Sequence, residues 1–406
     1  MSFLSAAEQY EILAENTSEI ISEDEFRSKL ERSVAENKPL RCKLGIDPSA
    51  PDLHIGHAVV LHKLRQFQDL GHHVVLIIGD FTGMIGDPTG RSEMRKQLTE
   101  EEVMENARTY QDQLFMILDP DRTEMVRNSD WLSKLTFADV VKLASKLTVA
   151  RMMEREDFYR RYKDNISIGI HEFFYPLMQG YDSIAVRADI EFGATEQKFN
   201  LLMGRQLQRE YGQNPQVAFT MPILVGTNGV EKMSKSLGNY IGLTEAPDQI
   251  YGKAMSIPDE LMDEYFRLAT TLQTKEIDGI MDQVKSGQLH PRDAKMRLAR
   301  ELVNLYHNAQ AAQEAEENFK QVFQKGQMPN EMEAFKFASP ASLVSIMVDA
   351  GLAPSRSEAR RLIKQGGVKI DGETADSIDL ELQKSKDEKD HIIQVGKRKF
   401  ARIKIT

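Results

Sequence analysis

The sequence predicts an α/β protein: a doubly wound parallel sheet carrying a helical insertion, then an α-helical domain and a small α+β module. Three observations point there. Short solid apolar runs, such as "VVLII" from Val74, alternate with amphipathic stretches over residues 39–93, the pattern of strand–helix–strand units in a parallel sheet. At 406 residues the chain is too long for one ordinary core, so two or three domains are expected. The charge also changes sign. The whole chain carries −10, yet residues 340–406 hold 13 Lys and Arg against 10 Asp and Glu, leaving −13 on the remainder. That asymmetry predicts a separate module with its own partner.

Taken in order, residues 1–32 read as a polar helical lead-in. "LRCKLGID" is a strand, "HIGHAVVLHKLRQFQDLG" a helix stopped by Gly71, "HHVVLIIGDF" a second strand and "TGMIGDPTGRS" a glycine-rich turn. A right-handed crossover is expected, giving a Rossmann-like domain. Residues 99–165 read as mostly helical, with an insertion at about 125–165. The sheet resumes near 184 with "SIAVRADIEFG", then the helix "TEQKFNLLMGRQLQREYG" and the strand "QVAFTMPILVG". The expected domains are 1–244, a helical domain at 245–325, a linker at 326–339 and a basic module at 340–406.

Composition narrows the function. No segment reaches about 18 consecutive apolar residues, the rough threshold for a membrane span, so no membrane partner is expected. The acidic N-terminus has neither the basic nor the apolar region of a signal peptide. Cys42, the single cysteine, excludes an internal disulfide and a multi-cysteine zinc site. A reduced, cytoplasmic setting is expected.

Two histidines, His54 and His57, flank Ile55 and Gly56 at a predicted helix start. Their spacing, with no carboxylate in the familiar arrangement, speaks against a metal site, and none is predicted. Solvated or capping histidines are one reading. The other uses the free N–H groups and positive dipole end of a helix N-terminus, which favour phosphate, with Gly56 leaving room for a nucleotide. Far downstream, "VEKMSKSLGN" gathers Lys232, Met233, Ser234, Lys235 and Ser236, two lysines and two hydroxyls suited to a polyphosphate. Alone this is a weak signal. Paired with H-I-G-H after a strand it is strong, and the sequence resembles a class I aminoacyl-tRNA synthetase. "FFYPLMQGYDSIAV" places Tyr175, Gln179 and Asp182 at i, i+4, i+7 on one helix face. With "IGDPTGRS", the chain resembles bacterial tyrosyl-tRNA synthetases over nearly its whole length, in the subgroup reading K-M-S-K-S.

The resemblance implies tyrosine–tRNA ligase activity: ATP and L-tyrosine form an adenylate and pyrophosphate, and tRNA(Tyr) accepts the tyrosine at its 3′ end. Mg2+ would accompany the ATP. Asp87, Tyr175 and Gln179 match positions that hold the tyrosine ammonium, Asp182 the phenol partner, and Gln197 a substrate-carboxylate contact. Asp47, Ser49, His54, Gly56, His57 and Glu196 match positions along the nucleotide. Arg91, Arg95, Lys232, Lys235 and Ser236 match groups around the transferring phosphate. A homodimer is implied, with the insertion at or near its interface.

Two departures stand out. The better-known subgroup has a tyrosine where this chain has Lys43, which leaves two courses open: pairing with Asp182 or turning away. The family's usual G-G-[ST]-D-Q reads Gly193-Ala194-Thr195-Glu196-Gln197 here. In the tail, Arg356, Arg360, Arg361 and Lys364 follow helical spacing, and Lys397, Arg398 and Lys399 form a second cluster. Together they resemble an S-four-like RNA-binding fold, whose basic face tracks phosphates. Residues 245–325 match the helical anticodon-side domain. Rival readings are a paralogue serving another acceptor or amino acid, a tryptophanyl enzyme, and a non-catalytic RNA-binding scaffold.

Overall fold

Six strands pair into the main sheet: β1 (Glu19–Ile21), β2 (Arg41–Ile46), β3 (His73–Ile78), β4 (Thr123–Arg127), β5 (Ile190–Ala194) and β6 (Val217–Met221), in the order β1-β6-β5-β2-β3-β4. All neighbours run parallel except β1 on β6. The computed structural model describes residues 4–48, 52–89, 99–324, 334–383, 390–396 and 399–406. It divides into two compact units, Met1–Ala246 with Lys253–Tyr306, and Pro247–Gly252 with His307–Thr406.

In the first unit, helices alternate with the strands. α1 (Ala6–Ala14) and α2 (Glu23–Glu36) lead in, capped by the Ser5 and Ser22 hydroxyls. α3 (Ile55–Asp69) joins β2 to β3, and α4 (Asp80–Ile85) and α5 (Glu100–Leu114) precede β4. Four short helices follow: α6 (Ser129–Leu132), α7 (Phe137–Ala144), α8 (Val149–Met152) and α9 (Glu156–Lys163). Then come α10 (Phe174–Ala185) before β5 and α11 (Lys198–Glu210) before β6. The central strands β3, β5 and β6 are almost wholly buried, which is why they read as solid apolar runs. Phe67 of α3 meets Phe192 of β5 edge-on at 5.1 Å and Phe219 of β6 at 5.7 Å. Each such ring contributes roughly 1.5–3 kcal/mol of burial.

The first unit is completed by α13 (Met262–Ala269), α14 (Thr274–Lys285) and α15 (Pro291–Tyr306); α12 (Pro247–Ser256) begins in the second unit, which also holds α16 (Ala309–Gln324). The tail builds a five-stranded sheet, β10-β9-β12-β13-β7, from β7 (Ala334–Phe337), β9 (Val368–Ile370), β10 (Glu373–Thr374), β12 (His391–Val395) and β13 (Lys399–Ile405). A two-stranded pair joins β8 (Ala341–Ser342) to β11 (Glu381–Leu382). Its core packs Leu343, Ile346 and Met347 of α17 (Leu343–Asp349) and Ile363 of α18 (Arg356–Lys364) with Val368, Ile393 and Ile403.

The structure corrects the reading at four places. The lead-in contains β1, three residues that pair antiparallel with β6 at the sheet edge. The stretch read as mostly helical holds β4 on the opposite edge. The glycine-rich turn begins with the helical turns of α4. The sheet resumes at Ile190, because 184–185 finish α10. Edge strands are short and partly charged, so their pattern is faint.

Candidate active site

The sheet order reverses at β2, which has β3 on one side and β5 on the other, and the C-terminal ends of these strands open on a crevice. A cavity of about 300 Å³ fills it, lined by Asp47, Gly56, His57, Asp87, Tyr175, Gln179, Asp182 and Gln197, all expected from the sequence. Thr82 and Asn128 line it as well.

His54 caps α3 and is nearly buried. Its ring lies 3.9 Å from that of His57, and its backbone N–H donates to His57 Nδ1 at 3.2 Å. The His57 proton therefore sits on Nε2. Burial first, then the charge of Lys235, lowers the His57 pKa to about 4; burial, His57 and Lys235 push His54 to about 2. Both rings are neutral near pH 7 and act as N–H donors or as acceptors. A Cβ at Gly56 would lie 3.0 Å from the His54 ring, so glycine keeps the helix start open.

The loop bearing Lys232 and Lys235 docks against this helix start. Met233 is buried and its N–H donates to the Leu224 carbonyl. The Ser234 N–H donates to Asn239 Oδ1 at 2.8 Å, and the Ile55 N–H to the Ile241 carbonyl at 2.9 Å. Lys232 Nζ reaches both carboxylate oxygens of Glu196 at 3.0 Å, Lys235 Nζ meets Asp52 Oδ2 at 2.5 Å, and the Ser236 hydroxyl pairs with that of Ser234. Asp52 is a partner the sequence did not suggest. Glu196 faces the loop lysine and is exposed.

Helix α10 carries the other end of the site. The Tyr175 hydroxyl donates to Asp47 Oδ2 at 2.8 Å, while Thr82 Oγ1 donates to Asp47 Oδ1. Burial, then the Asp47 and Asp87 carboxylates, raises the Tyr175 pKa well above the ordinary phenol value. Asp182 accepts from Trp131 Nε1 at 2.8 Å and Asn128 Nδ2 at 3.2 Å. Burial lifts its carboxyl to about 7, against the opposing field of Lys43 and these two donors. Gln179 Nε2 donates to Glu191, whereas its buried Oε1 has no partner among the described residues.

Lys43 takes neither course left open to it. Fully buried, its Nζ donates to Glu191 Oε1 at 2.8 Å, Ser183 Oγ at 2.8 Å and the Gln179 carbonyl at 2.9 Å. Glu191, on the neighbouring strand, was not singled out, and only the β2–β5 register brings the two together. At the mouth, Gln197 Nε2 donates to Asp87 Oδ2 at 2.6 Å.

In the tail, Arg356, Arg360 and Lys364 lie at i, i+4, i+8 on α18 with Arg361 beside them, all exposed. Arg361 pairs with Glu358 at 2.6 Å, and Lys399 Nζ donates to the Leu352 carbonyl. Ser49, Arg91, Arg95, Lys397 and Arg398 lie outside the described residues.

A switch-point crevice, a histidine pair at the helix start and a lysine loop beside it define a class I aminoacyl-tRNA synthetase. Residues 35–324 match the family of tRNA synthetases class I (W and Y), and residues 318–403 match the tyrosine–tRNA ligase SYY-like C-terminal domain. The chain belongs to the tyrosyl-tRNA synthetases. It is 58% identical to a tyrosine–tRNA ligase of Moorella thermoacetica over 98% of this chain and 96% of that one. It is 52% identical to that of Thermotoga maritima over 98% and 97%. Among solved structures, the Archaeoglobus fulgidus tyrosyl-tRNA synthetase complexed with L-tyrosine superposes with a TM-score of 0.63 at 24% identity, covering 76% of this chain and 99% of that one. A C-terminally truncated Aspergillus nidulans mitochondrial enzyme gives 0.64 at 23%, covering 79% and 94%. At such identity these two show the fold alone.

Proposed function

We propose that this chain activates L-tyrosine with ATP and transfers it to the 3′ end of tRNA(Tyr). The carrying observation is one cavity lined by Asp87, Gln179 and Asp182 together with His57. The Asp87 carboxylate and the unpartnered Gln179 Oε1 suit an ammonium, and Asp182, buried between Asn128 and Trp131, suits a phenol hydroxyl. The histidine pair and lysine loop lie on the phosphate side.

In this reading the tyrosine carboxylate attacks the α-phosphorus in line, forming a new P–O bond as the bond to pyrophosphate breaks. Neutral His54 and His57 contribute N–H groups, and Lys232, Lys235, Ser236, Arg91 and Arg95 gather on the leaving phosphates. Their contacts strengthen as charge develops, lowering the barrier. Asp47, Ser49, Gly56 and Glu196 line the nucleotide, and Gln197 faces the carboxylate. Lys232 and Lys235 exchange Glu196 and Asp52 for phosphate oxygens. Mg2+ would accompany the ATP and would offset charge on its phosphates. The basic face of the tail follows the tRNA backbone. A second copy covers the apolar side chains of the insertion and the turn after it, where Phe137, Tyr162 and Ile170 are each at least 70% exposed. With tRNA and ATP as co-substrates, the reaction belongs in the cytoplasm.

Amino-acid-dependent ATP–pyrophosphate exchange with tyrosine, phenylalanine and tryptophan, followed by charging of total tRNA, tests this. Tyrosine-selective exchange with stable charging is expected. Exchange without charging would indicate another acceptor; RNA binding without exchange would indicate a scaffold.

A further inference from the structure

Asp87 and Gln197 belong to a closed ring of hydrogen bonds whose far side is Arg155, the residue before α9 and 68 positions along the chain from Asp87. Arg155 Nη2 donates to Thr89 Oγ1 at 2.7 Å, and Thr89 Oγ1 donates to Asp87 Oδ1 at 2.6 Å. Gln197 Nε2 donates to Asp87 Oδ2 at 2.6 Å, and Asn200 Nδ2 donates to Gln197 Oε1 at 2.8 Å. Arg155 Nη1 closes the circuit on Asn200 Oδ1 at 3.1 Å. Because Thr89 Oγ1 already accepts from the guanidinium, its one proton is directed at Asp87.

The charges are arranged as deliberately as the bonds. The Arg155 side chain is only 5% exposed and lies 3.7 Å from Asp87 Oδ1. A bare buried guanidinium there would claim the Asp87 carboxylate and repel an ammonium. Asp157 prevents this with a two-pronged contact, Nε to Oδ1 at 2.8 Å and Nη2 to Oδ2 at 2.9 Å. One cation and two carboxylates leave the cluster a single negative charge, and a substrate ammonium would neutralise it.

We propose that Arg155 is a positioning residue of the amino-acid site, holding Asp87 and Gln197 in place through Thr89 and Asn200, with Asp157 as the counter-charge that keeps Asp87 free for the substrate ammonium. This rests on the tyrosine-activating function proposed above. It ties the amino-acid pocket to α9 of the insertion, which, unlike Asn128 ahead of α6, contributes no residue to the cavity lining.

The test uses the full chain with R155K and D157N, two substitutions that keep side-chain volume nearly intact. Pyrophosphate exchange gives separate KM values for tyrosine and ATP. Competitive inhibition by 3-(4-hydroxyphenyl)propionate, which is tyrosine without its ammonium, gives the second readout. Both variants are expected to raise the tyrosine KM about tenfold. The ATP KM stays within about twofold of the unaltered chain, and the des-amino analogue, which keeps the carboxylate that Gln197 faces, weakens by no more than about threefold. Equal weakening of tyrosine and the des-amino analogue, or an unchanged tyrosine KM, overturns the positioning role. Absence of tyrosine-dependent exchange in the unaltered chain instead overturns the proposed function.

Discussion

Asp182 is a buried acceptor already serving Trp131 and Asn128, with room in the cavity for one more donor. Phenylalanine brings no hydroxyl, and an unmet acceptor costs about 1–3 kcal/mol, more when charged. Asp182→Ala is therefore expected to cut the Tyr/Phe preference in exchange by about 100-fold or more; unchanged discrimination would refute the assignment. Buried histidines make a second prediction. Burial lowers His54 to about 2 and His72 to about 4, from an ordinary 6.5. The unfolded chain binds protons below about pH 6.5 that these folded rings refuse, so stability is present above that pH and is lost as the pH falls towards 4. His72 alone contributes about 3 kcal/mol at full effect. Asp182, lifted to about 7, works the other way: its contribution is full below its ordinary value of 3.8 and fades as the pH rises through 7. Urea unfolding is expected to show net destabilisation from pH 6.5 to 4, because among the described residues the lowered rings outweigh the raised Asp182 carboxyl. A flat profile would contradict it. Tyr175, Gln179 and Asp182 were legible because helical spacing puts them on one face. Trp131, Asn128 and Arg155 were not, since only folding brings them to the site.

At the scale of elements, Lys43 interrupts β2, a strand buried on both faces, and its charge is balanced by Glu191 of β5. Lys43→Met leaves Glu191 buried and unpaired, at a cost of about 3–5 kcal/mol in urea unfolding. A loss under about 1 kcal/mol would mean that Ser183 and Gln216 satisfy the carboxylate without the lysine. The same strands show where sequence reading succeeds. β3 was legible because burial writes a continuous apolar run, and α3 because its amphipathic stretch ends at a glycine stop. β1 and β4 were not, because "EII" and "TEMVR" take their identity from the edges they pair with. Lys43 itself looked like a recognition residue, and its partner depended on cross-strand register.

For the whole molecule, the predictions concern assembly and tRNA. Arg360→Glu with Lys364→Glu on α18 is expected to weaken charging at least about tenfold and to flatten its salt dependence, while pyrophosphate exchange is unchanged. Equal charging would remove that face from tRNA binding. Phe137→Glu places a charge on the exposed apolar surface of the insertion, and sedimentation is expected to shift from dimer to monomer. A monomeric unaltered chain would exclude the proposed second copy. The acidic body and basic tail were visible as a change of sign along the sequence, because net charge needs no coordinates to be counted. The apolar patch is not legible in the sequence, since exposure is a property of the folded surface.

The lysine loop has a mechanical consequence. Met233, Ser234 and Asn239 pin its backbone, while Lys232 and Lys235 end in solvent-accessible ion pairs. Ordering a slack segment would cost about 1–2 kcal/mol for every residue fixed. Here the shoulder is already set and only two arms swing, so the nucleotide meets a hinge with little slack to take up.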